Sequence, residues 1–172
     1  SDLINEFIEK PVADSIVTLL STSDSAEITK CAGILASQFG TGFDISTQEN
    51  AIKLVQSFKK NLTLLIQKTW VEQSDIMLKE EIIVKLEKIC NAVSEGKWAE
   101  NFVPFIQILN SVISLMFGPI SKTAEFDEYA LRIDPEFGVF CWYVKNLPAS
   151  NDWSNEKNMA VILIAMFFLA NY

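Results

Sequence analysis

Residues 159–170 read MAVILIAMFFLA, twelve positions without one polar side chain. Ser154 stands just ahead as an N-cap, so the run predicts a final helix reaching about Ala170. A helix that is apolar all the way round has to be surrounded by other elements. At 1.5 Å per residue the run rises only about 18 Å, against a hydrocarbon thickness of roughly 30 Å. It is therefore expected to be a core helix rather than a membrane span, with an all-α bundle built around it.

Working outward, Trp98 to Phe117 is nearly as apolar, broken by one polar stripe of Gln107, Asn110, Ser111 and Ser114. It is expected to be a second central helix, ended by Gly118 and Pro119, with Pro104 in its first turn or at a kink. Two long amphipathic helices should precede it. The first opens on a capping box of Ser46 and Glu49 and turns Ala51, Val55, Phe58, Leu62, Leu65 and Thr69 inward. The second runs from Asp75 to Ser94, with Ile76, Ile83, Leu86, Cys90 and Val93 inside, Gly96 beyond its end, and Asp75 with Lys79 and Glu81 with Lys85 outside.

Nearer the N-terminus, Asp2 to Glu9 makes an amphipathic turn or two, and Pro11 to Leu20 a short helix. Asp24 with Glu27 opens another helix through Ile28, Cys31, Ile34, Leu35 and Phe39, closed by Gly40. A short helix from Lys122 to Arg132 ends at Asp134 and Pro135. Phe137 to Asn146 is rich in strand formers (Val139, Phe140, Trp142, Tyr143, Val144), but a lone strand needs a partner and no second one exists in the sequence, so it is assigned as helix. Residues 1–172 are thus expected to form a single helical domain, a bundle of about seven or eight helices with two highly apolar helices at its centre.

Composition narrows the chemistry. The chain has no histidine, which removes Ser-His and Cys-His nucleophile pairs, histidine zinc sites and axial histidine to haem. Cys31, Cys90 and Cys141 are scattered through apolar runs and read as buried reduced thiols, which favours a cytoplasmic location; Ser1 to Lys10 does not read as a secretory leader. Neither glycine-rich phosphate-binding motif is present. The net charge is −8 and Arg132 is the only arginine among fourteen basic residues, which argues against nucleic acid. No metal or cofactor is expected, and no enzymatic activity, although carboxylate pairs alone can do acid–base work.

The last third of the chain carries the candidate site. Acidic residues Glu125, Asp127, Glu128, Asp134 and Glu136, opposed by Arg132, are interleaved with Phe126, Tyr129, Phe137, Phe140, Trp142, Tyr143 and, further on, Trp153. Amphipathic rings beside charges are what binding hot spots use; the plainer reading is that the rings roof the core and the charges are solvated. The partner-binding candidates are Glu125, Asp127, Glu128, Tyr129, Trp142, Tyr143 and Trp153. The function expected is a non-catalytic interaction module of the adaptor, inhibitor or immunity type with a basic protein partner. The alternative is a carrier of an apolar small molecule between helices, and the apolar C-terminal helix is also a candidate surface for homo-oligomers. The lysines at 53, 59, 60 and 68 are expected to meet acids of the following helix, and Asn61-Leu62-Thr63 is treated as a chance glycosylation sequon.

Overall fold

The computed structural model describes residues 3–38, 48–69 and 73–170. Eight α-helices lie within them: α1 (Lys10–Ser21), α2 (Ser25–Gln38), α3 (Gln48–Thr69), α4 (Gln73–Ser94), α5 (Trp98–Phe117), α6 (Phe126–Ile133), α7 (Pro135–Lys145) and α8 (Asn155–Ala170). Short 3-10 turns occupy Ile4–Glu6 and Gly118–Lys122. No strand occurs among the described residues.

The uniformly apolar helix is the axis of the fold. From Ala160 to Leu169 every side chain of α8 is buried, with α2, α3, α5 and α7 around it and α1 against its start. Because nothing on α8 from Ala160 to Leu169 faces water, polar groups there must be met by neighbours. Asn61 of α3 donates from Nδ2 to the carbonyls of Leu169 (3.0 Å) and Ala170 (2.6 Å), closing the C-terminal end. The Tyr143 hydroxyl of α7 donates to the Val161 carbonyl at 3.0 Å. At the N-terminal end Ser154 Oγ accepts from the Lys157 N–H (3.2 Å), the expected cap.

Lys157 itself is buried, and its ammonium donates to the carbonyls of Leu20 (3.1 Å) and Thr22. Those are orphan acceptors at the C-terminal end of α1, where the helix dipole favours a cation. The same ammonium lies 4.1 Å from the centre of the Trp153 ring. Next to it, the Glu156 carboxylate accepts from Ser25 Oγ (2.8 Å) and Thr29 Oγ1 (3.4 Å) of α2. One turn of α8 therefore holds the ends of α1 and α2 together.

The other helices show why local expectations held or shifted. Gly96 follows α4 at φ 85°, with Gly96 N–H on the Val93 carbonyl (2.9 Å) and Lys97 N–H on the Ala92 carbonyl (3.1 Å), the paired bonds that stop a helix at a left-handed residue. α5 starts at once, making α4 and α5 an antiparallel hairpin. α5 buries Phe102, Phe105, Leu109 and Val112 but leaves Gln107, Asn110 and Ser111 in water, so it flanks the centre rather than sharing it with α8. By length and composition Trp98–Lys122 is apolar enough to cross a membrane, with a mean hydropathy of 1.6, and here one of its faces covers α8. Pro104 lies at the seventh position of α5, past the first turn.

On α3 the inner face runs through Ala51, Leu54, Val55, Phe58, Leu62 and Ile66, while Leu65 is half-buried. On α4 it is Ile82, Leu86, Ile89, Cys90 and Val93, with Ile83 half-buried. Lys59 reaches Glu87 of α4 at 2.9 Å, the pairing expected of the α3 lysines, and Glu81 meets Lys85 at 3.2 Å. Asp24 Oδ1 accepts from Ala26 N–H at the start of α2, but Glu27 turns back to the Thr22 hydroxyl rather than completing a box with Asp24. Ser46, Gly40 and Phe39, and the side chains of Thr69, Asp75 and Ile76, lie outside the described residues.

The strand-like stretch is helix α7. Pro135 takes its first turn, Asp134 Oδ1 accepts the Phe137 N–H at 3.3 Å, and Phe137 to Val144 are all buried. Gly138 makes this packing feasible. A Cβ there would stand 2.6 Å from the Leu131 N and Cα atoms of α6. Gly138→Ala should therefore force the two helices apart and cost about 1–3 kcal/mol. Gly33 of α2 has nothing within 4 Å of the same position, so Gly33→Ala should stabilise by about 0.5–1 kcal/mol. Urea denaturation of both variants checks this pair of opposite signs.

Candidate functional site

Seven of the eight residues of α6 divide between core and solvent, with Asp127 half-buried between them. Phe126, Ala130 and Leu131 point into the core, while Glu128, Tyr129, Arg132 and Ile133 face water, together with Glu125 just ahead of the helix. Glu125, Tyr129 and Ile133 are four apart and share one stripe. Tyr129 is 44% and Ile133 62% exposed. The Tyr129 ring packs edge-on against Phe117 at 6.2 Å, which fixes its orientation.

Charges ring this stripe. Arg132 bridges Glu128 (3.3 Å) and Glu6 (3.5 Å). Asp127 is half-buried and paired with Lys145 of α7 at 3.0 Å, and that ammonium also contacts the Thr123 carbonyl (3.4 Å) and the Phe126 ring. Asp134 is used as the α7 cap. Arg132 is thus shared between Glu6 and Glu128, Lys145 is paired with Asp127, and Glu125 and Glu136 stand exposed at the starts of α6 and α7.

The remaining candidates stand elsewhere. Trp142 is buried on α7, and Tyr143 is fully enclosed with its hydroxyl spent on α8. Neither presents a surface; Tyr143 packs on Phe168 of α8, ring centroids 5.0 Å apart. Trp153 is half-buried at the start of α8, edge-on to Phe102 at 5.4 Å and under the Lys157 ammonium. Of the seven, the structure brings Glu125, Glu128 and Tyr129 onto one exposed face, turns Asp127 towards Lys145 of α7, and leaves Trp142, Tyr143 and Trp153 off that face. Ile133 belongs to that surface and was missed, because an isolated isoleucine four residues after a tyrosine reads as core.

A second feature lies on the α4–α5 hairpin. An open groove of about 960 Å³ has Ile82 and Ile89 of α4 and Pro104 and Ile108 of α5 along its base, with Leu78 and Leu115 towards the other end. Glu81, Lys85, Lys88 and Lys122 are the charged residues lining it. Among the described residues neither Lys88 nor Lys122 has a carboxylate within 4.0 Å. The polar stripe of α5 read from the sequence is one wall, through Gln107, Asn110, Ser111 and Ser114.

Among the described residues no three cysteine or carboxylate side chains converge closely enough to hold a metal ion. The three thiols are buried and unpaired. Burial pushes Cys90 up to about 12 and raises Cys31 and Cys141 as well, and it holds the Tyr143 phenol far above its usual range. Compared with known proteins, the chain matches no family model, no curated protein and no solved structure.

These shifts carry a sign. An unfolded thiol ionises near pH 9, whereas folded Cys90 keeps its proton to about 12, so the unfolded state loses protons first and stability falls as pH rises through that window. Cys31, Cys141 and Tyr143 act in the same direction; Lys157, lowered by burial, opposes them. Urea midpoints should fall between about pH 8 and about pH 10.5, less steeply in Cys90→Ala, and a level or rising midpoint contradicts the thiol placement.

Proposed function

We propose that the protein is a non-catalytic helical interaction module, of the adaptor, inhibitor or immunity type, that receives a basic protein partner on the outer face of α6. The observation that carries the reading is the pair Tyr129 and Ile133, open to solvent on the helix face that also carries Glu125, Glu128 and Arg132. Exposed isolated apolar side chains are ordinary; an aromatic held in place by Phe117, beside a β-branched neighbour and a rim whose carboxylates outnumber Arg132, has the make-up of a hot spot with its surround. The apolar pair supplies area and the carboxylates supply orientation and association rate.

The rest of α6 supports this division of labour. Phe126, Ala130 and Leu131 anchor the helix, Gly138 lets α7 approach its backbone, and the Lys145–Asp127 pair closes one side. The face is thus displayed on a rigid base, which reduces the ordering cost of association.

Affinity capture from the native cell, with mass spectrometry, tests the proposal. The wild-type chain should retain a basic partner in a salt-sensitive manner, and a bait carrying Tyr129→Ala and Ile133→Ser should lose it by at least about tenfold, as expected of hot-spot truncation. Urea denaturation of the variant shows that the fold survives. A partner retained equally by both baits, or bound independently of salt, contradicts the α6 assignment.

A further inference from the structure

We infer that the α4–α5 groove is a second docking site, and that its occupant is an acidic amphipathic helix of a partner protein. The inference uses residues separate from the α6 face and stands or falls apart from it. It starts from a local reversal of charge. The chain as a whole is −8, yet three ammonium groups and one carboxylate line this groove, and Lys85 already neutralises Glu81 at 3.2 Å. Lys88 and Lys122 are left over. Repulsion from the rest of the molecule is screened beyond about 8 Å at physiological ionic strength, so these two set the sign that a docked segment meets.

Shape and length select a helix. Leu78 to Ile89 on α4 and Pro104 to Leu115 on α5 each cover eleven steps, about 17 Å or three turns. An incoming helix would place apolar anchors at i, i+4, i+7 and i+11 over that distance. The hairpin is antiparallel, so Lys88 stands towards its turn and Lys122 towards the opposite end. A carboxylate near each end of the apolar stripe meets both. The wall of Ser111 and Ser114 is low and hydrogen-bonding, which lets a polar backbone pass close. A small apolar ligand fits less well, since such ligands bury most of their surface in enclosed pockets and this groove is open along its length.

The test uses 14-residue fluorescent peptides that share one leucine stripe with i, i+4, i+7, i+11 spacing and carry glutamate, lysine or glutamine flanks. At physiological salt the glutamate peptide should bind at least tenfold more tightly than the lysine peptide and gain helicity on binding. Backbone NMR shifts should map to α4 and α5. Lys88→Glu with Lys122→Glu should reverse the order of preference, while Tyr129→Ala with Ile133→Ser should leave it unchanged. Urea denaturation of each variant confirms that it is folded. Absence of binding, equal binding of the lysine peptide, shifts mapping elsewhere, or insensitivity to the two lysine substitutions overturns the proposal. So does engagement of the groove by palmitate or by phosphatidylglycerol vesicles with no peptide binding, which would make it a lipid site instead.

Discussion

The structure depends on enclosing a helix that has no face to spare for water. Once α8 is buried on all sides, its backbone ends and its few polar side chains can be satisfied only by other helices. Most are: Asn61 serves one end, Tyr143 the middle, and the Lys157 and Glu156 side chains the other, while buried Asn158 donates to the Trp153 carbonyl and its Oδ1 has no partner among the described residues. An unpaired buried ammonium would be costly, and two carbonyls with an indole ring offset that cost without a carboxylate. The apolar contacts are non-directional and supply most of the stabilisation; the polar clasps choose which helix ends meet.

This hierarchy explains what was legible in the residues. The all-helical class, the helix ends at Gly96 and Ser154, and the helical state of Phe137 to Asn146 follow from periodicity, caps and the lack of a second strand. Polar clasps were not legible, because Lys157 looks like any surface lysine in the first turn of a helix, and Asn61 sits in a glycosylation sequon. Both act on residues more than a hundred positions away. The same limitation affected the aromatics. Tyr143 and Tyr129 carry identical chemistry, and only packing tells that the first is a core strut and the second a surface ring. The stripe on α5 was read correctly as polar, but its position at the edge of a groove depends on how α4 lies beside it.

With α8 and the inner faces of its neighbours occupied by packing, what remains available for function is the outside. Two parts of that outside differ in character from an ordinary solvated surface. The α6 face is apolar at its centre and acidic at its rim; the α4–α5 groove is apolar at its base and locally cationic. The two share α5: its residues from Pro104 to Leu115 line the groove, and Phe117 at its end touches Tyr129. In the proposed reading, opposite signs on these two surfaces suit an adaptor that holds two unlike partners; α6 rests on α7, and α4 on α3 and α5, the helices that pack on α8.

That axis can be measured directly. Native-state hydrogen exchange should find the amides from Val161 to Leu169 opening only with global unfolding, with protection free energies equal to the urea-derived stability and the same denaturant dependence. Exchange of those amides through a local opening well below the global free energy would show that α8 is not the element on which the other helices depend.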